Sequence, residues 1–199
     1  MNQIAYTVGD GIYLNLTNRC PCRCVFCIRQ EQDTVGDSGS LWLKKEPTAD
    51  EVLEALASYD LGSYREIVFC GYGEPMEQLD VLLEVCRRIR AISNLPIRVN
   101  TNGLADLIHK KPTALLLEGL VDTVSISLNA PNRQRYHEVV QSIYGLPAFD
   151  SMLQFAVSCK SYVPHVMFTV VDILSEEEIA ACRQLASGLG IPLRVREKL

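Results

Sequence analysis

The sequence predicts an α/β fold with a parallel sheet, and three observations carry that expectation. Short runs rich in β-branched residues recur along the chain, amphipathic helical patterns fall between them, and several runs are apolar at nearly every position. Strands that alternate with helices pair in parallel through crossover connections. Strands without a polar face are expected where helices cover both sides of the sheet. The six units found this way fit either an open doubly wound sheet or an incomplete barrel.

Taken in order, Gly11–Thr17 (GIYLNLT) is the first expected strand. Residues 18–47 follow as one long irregular loop, and long loops inside compact domains are usually functional. Thr48 caps the first helix, Glu51 completes a capping box, and Val52, Leu53, Leu56 and Ala57 give its apolar face. Glu66–Cys70 is the next strand. The stretch MEQLDVLLEVCRRIRAI is a helix that packs through Leu79, Leu82, Leu83, Val85 and Cys86. Strand Ile97–Thr101, a short helix over Leu115–Leu120 and strand Asp122–Leu128 come next. A helical piece around Arg133–Gln141 precedes a longer helix in PAFDSMLQFAVSCKSY, and His165–Val171 is a strand. Ser175 caps the last helix with Glu178 closing a box, three acids in the first turn, and Gly188 or Gly190 as stop. Leu193–Arg196 is the final strand.

With 199 residues, 48% of them hydrophobic and 22% charged, the chain fits one globular domain over residues 1–199. No apolar run is long enough to cross a bilayer. The start, MNQIAYTVGD, lacks the basic and apolar parts of a signal peptide. The expected location is therefore cytoplasmic, where thiols stay reduced. Net charge is −5, and the basic patches RRIR and HKK are short, so composition points to neither nucleic acid nor membrane. His109, His137 and His165 lack metal-ligand spacing, and Cys70, Cys86, Cys159 and Cys182 read as core residues.

The chemistry concentrates in LTNRCPCRCVFCIRQ, where Cys20, Cys22, Cys24 and Cys27 crowd into eight residues. Without Cys22 the spacing is Cys-x-x-x-Cys-x-x-Cys. Three thiolates so spaced suit three corners of a [4Fe–4S] cluster, which takes four cysteines when fully ligated by protein. The fourth iron is left open, and an amino acid's amine and carboxylate would fill it. A zinc knuckle is the alternative, but zinc sites pair two Cys-x-x-Cys units or add histidines, and only Cys24 and Cys27 form such a unit. Other motifs fall at successive strand ends: GYGEP (Gly71–Pro75), NTNG (Asn100–Gly103), SISLNA (Ser125–Ala130) and TVV (Thr169–Val171).

Together these residues resemble the radical S-adenosylmethionine (radical SAM) superfamily. Phe26 stands where that signature has an aromatic residue before the third cysteine, and GYGEP resembles its Gly-Gly-Glu-Pro motif, with Tyr72 in place of a glycine. The stretches LWLKKEPT and RVNTNGLADLIHKKPTA narrow the likeness to the small TatD family-associated radical SAM proteins. The resemblance implies an incomplete (β/α)6 parallel barrel, a partial TIM barrel. It implies that Cys20, Cys24 and Cys27 hold the [4Fe–4S] cluster, with Cys22 pointing away from it. S-adenosyl-L-methionine would meet Phe26, Tyr72, Gly73, Glu74 (at its amine), Asn102, Ser127 and Asn129, with Val170 packing on adenine. One electron, from a flavodoxin- or ferredoxin-like donor of low potential, would cleave the sulfonium bond, and the resulting 5′-deoxyadenosyl radical would abstract hydrogen from a substrate. Arg19, Arg23 and Arg29 would offset the cluster's charge or meet the donor, or form no more than a solvated basic rim. A second cysteine group is lacking, so no auxiliary cluster domain is expected. The resemblance implies an unidentified substrate, a protein as for the glycyl-radical activating enzymes or another macromolecule. The competing reading is a non-catalytic iron–sulfur or zinc protein that senses or binds a partner.

Overall fold

The computed structural model describes residues 3–36 and 38–198. Seven strands form one sheet in sequential order: β1 Ala5–Val8, β2 Gly11–Leu14, β3 Glu66–Phe69, β4 Ile97–Thr101, β5 Thr123–Ser127, β6 His165–Val171 and β7 Leu193–Arg196. Strands β2 to β7 run parallel, as the alternation predicts. Strand β1 is an addition to the six expected. It pairs antiparallel with β2 from Ala5↔Leu14 to Val8↔Gly11, across the two-residue turn Gly9-Asp10. Gly9 has φ +55°, a conformation glycine adopts without steric cost.

The helices are α1 Ala49–Leu56, α2 Leu79–Arg90, α3 Ala105–His109, α4 Arg133–Val140, α5 Pro147–Cys159 and α6 Glu176–Gly188. Both expected capping boxes form: Thr48 with Glu51, and Ser175 with Glu178. Gly190, at φ +63°, follows the end of α6. Two short pieces differ from expectation. The single turn α3 was not foreseen, and the region of Leu115–Leu120 holds only a 3₁₀ turn, Ala114–Leu117. A helix of so few residues leaves too little periodicity to read.

The outer face of the strands and the inner faces of the helices make the core. Ile67, Phe69, Val99, Val124, Ile126, Phe168 and Val170 pack with Leu82, Val85, Ile89, Met152, Phe155 and Cys182. Cys86, Cys159 and Cys182 lie there too, and burial pushes their thiols up to about 12, 12 and 11, which keeps them protonated. The inner face is different. Side chains alternate across a strand, and the positions facing inward include Tyr13, Arg98, Asn100, Ser125, Ser127, Thr169, Arg194 and Arg196. The strands therefore do have a polar face, turned into the lumen of an incomplete barrel.

Candidate functional site

The lumen opens at the carboxyl ends of the parallel strands into a cavity of about 390 Å³. Active sites of α/β folds collect at that end. Residues 18–47 cover part of it and contribute Cys20, Cys22, Cys24, Phe26, Cys27, Ile28, Val35 and Leu41 to its wall.

The covering loop is tied down by groups of the chain itself. Asn18 makes a reciprocal pair with the backbone of Leu43: its amide donates to the carbonyl at 2.7 Å and its Oδ1 accepts from the N–H at 3.0 Å. The Asn15 amide donates to the Leu41 carbonyl at 2.7 Å. The N–H groups of Arg23 and Val25 donate to Val140 and Val139 at the end of α4, and the Ile143 N–H donates to Pro21. The Tyr72 hydroxyl donates to the Gln32 carbonyl, and its ring meets Trp42 edge-on at 5.2 Å. Trp42 thus packs the loop onto the barrel.

Of the three arginines in the loop, Arg29 alone turns inward. It donates to the carbonyls of Asn18, Tyr72 and Cys22. Arg19 pairs with Glu46 and Glu77, and Arg23 is exposed.

The four cysteines gather at the cavity mouth. The thiol hydrogen bond from Cys22 lowers Cys20 to about 7, helped by the Arg29 charge and the Asn102 amide. Cys22 is buried and hydrogen-bonded through its thiol to both Cys20 and Cys24, and its own pKa is driven far up. It therefore sits between these two thiols. Burial raises Cys27, against the charge of Arg29. The Asn102 Nδ2 lies 3.9 Å from the sulfur of Cys20 and 3.7 Å from that of Cys22. Asn102 thus faces the cysteines.

The GYGEP segment explains its glycines by close approach. A Cβ on Gly73 would lie 2.2 Å from the carbonyl oxygen of Thr17 and 2.6 Å from that of Arg19. A Cβ on Gly71 would lie 2.0 Å from Oδ1 of Asn15. Glycine here lets β3 run directly beneath the strand end that launches the cysteines. Glu74 is buried at the cavity wall. It accepts from the Thr101 hydroxyl and the Asn102 N–H at 2.7 Å each and from the Met76 N–H at 3.0 Å. Burial, with the Cys20 charge adding, raises its carboxyl to about 8. Glu74 thus ties the segment after β3 to the end of β4 while it also borders the cavity, with acceptor capacity left for a ligand's donor.

Beyond the cysteines, Ser127 and Asn129 line the cavity. Asn129 holds φ +56°, is 5% exposed, and its Oδ1 has no hydrogen-bond partner among the described residues. Native structures leave few such atoms unpaired, so this one marks a place for a ligand's donor. Tyr136 Oη is a second such atom on the same wall. Val170 does not line the cavity. It faces the core at 0% exposure, while Met167, Thr169 and Val171 line the cavity from β6.

Sequence reasoning missed the lumen's remaining polar groups: Tyr6, Tyr13, Arg98, Asn100, Arg194 and Arg196. The signal was present in IRVNT, TVSIS and LRVR, where polar residues alternate with apolar ones. Cys70, read as a core residue, also borders the cavity, with burial raising its thiol.

Comparison with known proteins adds the kinship. Residues 14–186 match the family described as the Radical SAM superfamily. A GTP 3′,8-cyclase of Lactiplantibacillus plantarum is 25% identical over 85% of this chain and 47% of its own length. A probable dual-specificity RNA methyltransferase RlmN 1 of Protochlamydia amoebophila is 26% identical over 96% of this chain and 54% of its own. The chain thus spans about half the length of the curated relatives it matches. Streptococcus suis SuiB bound to S-adenosylmethionine shares the fold at a TM-score of 0.68 and 17% identity, over 94% of this chain and 40% of that one. These likenesses reach the superfamily and not the narrower TatD family-associated group.

Proposed function

Because the chain belongs to the radical SAM superfamily, we propose that its luminal cavity brings S-adenosylmethionine against a [4Fe–4S] cluster held by Cys20, Cys24 and Cys27. The superfamily uses both cofactors and needs a reductant. When bound, they supply a carbon radical able to take hydrogen from a substrate.

The observation that carries this reading is the buried, unpaired Asn129 Oδ1 on the wall of the cavity that the cysteines border. A buried acceptor without a donor is costly, and a ligand hydroxyl or amine satisfies it. Ser127 offers a second short hydrogen-bonding side chain on the same strand end. Phe26 and Val171 supply apolar surface for a flat ring, in place of the Val170 expected from sequence. Glu74 keeps Asn102 against the cysteines through the Asn102 N–H. Arg29 holds positive charge beside thiolate ligands, which favours their ionised form. The Tyr72–Trp42 contact holds the loop against the cavity wall.

The names of the relatives describe work on a nucleotide and on RNA. A nucleotide or nucleic-acid substrate therefore stands beside the protein substrate expected from sequence. Anaerobic reconstitution with iron and sulfide, followed by dithionite and S-adenosylmethionine, tests the reading. A brown protein that releases 5′-deoxyadenosine is the expected result. A cluster-loaded protein that releases none is the non-catalytic alternative and overturns the proposal.

A further inference from the structure

The lumen holds more positive charge than the proposed cofactors account for. Arg98, Arg194 and Arg196 project into it from β4 and β7. The three differ in what they meet. Arg98 is satisfied inside the fold: it donates to both carboxylate oxygens of Glu66, at 3.0 and 2.6 Å, and to Asn100 and Tyr13. Arg194 and Arg196 make no ion pair or side-chain hydrogen bond among the described residues. Glu197 borders the same cavity, but it pairs with neither arginine, and Lys198 turns to Glu31 at 2.6 Å.

The register explains why the two are neighbours. Arg194 lies beside Thr169 and Arg196 beside Val171, so both leave the same face of β7, two residues apart. They share the cavity wall with Tyr13, Cys70 and Arg98 of the opposite strands. Burial, and repulsion from Arg194 and Arg98, pull its guanidinium below the usual value, although water in the cavity still reaches the side chain. Both side chains are solvent-accessible, and neither like charge has a counter-charge among the described residues. An oxyanion arriving between them supplies that counter-charge, and guanidinium is the group best shaped to grip one.

We infer that Arg194 and Arg196 anchor the oxyanion of the substrate, a phosphate or a carboxylate, on the β7 wall of the cavity that the cysteine loop covers. This rests on the reading of that cavity as the site of radical chemistry, and it names the substrate class: a molecule with an anionic end that reaches β7 and a C–H bond nearer the cysteines.

The test is calorimetric titration of the reconstituted protein with pyrophosphate and, separately, with succinate. Saturable binding of at least one is expected, weakened about tenfold or more in R194Q/R196Q, retained in R194K/R196K, and unchanged in R183Q on the outer helix α6. If R194Q/R196Q fails to fold, the single variants R194Q and R196Q carry the test: weakened binding in either is expected, and unchanged binding in both overturns the inference. Preference for pyrophosphate assigns a phosphate substrate, and preference for succinate a carboxylate. Absence of saturable binding, or equal binding by R194Q/R196Q, overturns the inference. The release of 5′-deoxyadenosine by the unmodified protein is measured in parallel. Its failure defeats the proposed function while leaving the anion site standing, so the two failures are distinguishable.

Discussion

Gly73→Ala tests whether the glycine motif serves the cysteine loop by close approach of backbone. The new methyl would sit 2.2 Å from Thr17 O, 2.6 Å from Arg19 O and 2.7 Å from Thr17 C. All three are backbone atoms, which cannot swing aside as a side chain end would. Ordinary contact begins near 3.4 Å, so the two segments must part by about 1 Å. The Glu74 N–H donates to that same Arg19 carbonyl at 2.8 Å, and the bond is strained or lost in the process. Overpacking of this kind costs about 1–3 kcal/mol, and a lost hydrogen bond about 1 more. A total near 2–4 kcal/mol is therefore expected. Because Arg19 adjoins Cys20, the iron and sulfide bound per chain should fall as well. Gly188→Ala is the control: nothing lies within 4 Å of its added methyl, and it ends α6. Helix propensity makes that change neutral or stabilising by up to about 0.5–1 kcal/mol. Urea unfolding followed by circular dichroism gives the stabilities, and iron and sulfide assays give the loading. A Gly73→Ala protein within about 0.5 kcal/mol of the parent, with full loading, refutes the argument.

Four further outcomes are expected. Alanine at Cys20, Cys24 or Cys27 should abolish the cluster's visible absorption on reconstitution, whereas Cys22→Ala should keep it; loss in the Cys22 variant would show that the wrong three ligands were chosen. Val170→Ala should cost about 2 kcal/mol of stability because it opens the core, while Val171→Ala should chiefly weaken S-adenosylmethionine binding in equilibrium dialysis; the reverse pattern would restore Val170 to the site. Glu74→Ala strands three buried donors and should cost about 3 kcal/mol or more, against about 1 or less for Asp50→Ala, whose partner Arg88 is exposed with it; equal costs would contradict the role given to Glu74. Chelating the iron should lower the unfolding midpoint yet leave the urea m-value unchanged, since the loop is held by Asn18, Arg29 and the α4 carbonyls rather than by metal alone; a smaller m-value would mean that the loop melts with the cluster.

The fold was legible where local rules and packing agreed. Thr48 with Glu51 and Ser175 with Glu178 announce helix starts through hydrogen bonds made entirely within four residues, and both form. The six parallel strands carry enough β-branched side chains to be seen without their partners. Strand β1 escaped because its first half is buried and its second exposed, which erases the period of two. Its turn, Gly9-Asp10, was a sufficient hairpin signal on its own. Helix α3 is a single turn, kept by Asp106, which accepts from the Thr113 N–H and hydroxyl, a contact no periodicity reveals.

The site divides along a similar line. The cysteines and glycines could be found from spacing because their chemistry is written in consecutive residues. Which way each side chain turns is set by register, and there one residue reverses the answer. Thr169 and Val171 border the cavity while Val170, between them, belongs to the core. The same parity places Arg194 and Arg196 in the lumen and Val195 against the core. The stretch LRVR read alone is an ordinary edge strand with a charged face. It becomes a wall of the cavity only because the sheet curls until β7 shares that cavity with Tyr13, Arg98 and Cys70. Glu74 shows what a motif leaves out. It borders the cavity as its motif implies, and it also accepts from Thr101, Asn102 and Met76, bonds that spacing cannot reveal. A motif records which residue the chemistry needs; the donors around it show what else that residue braces.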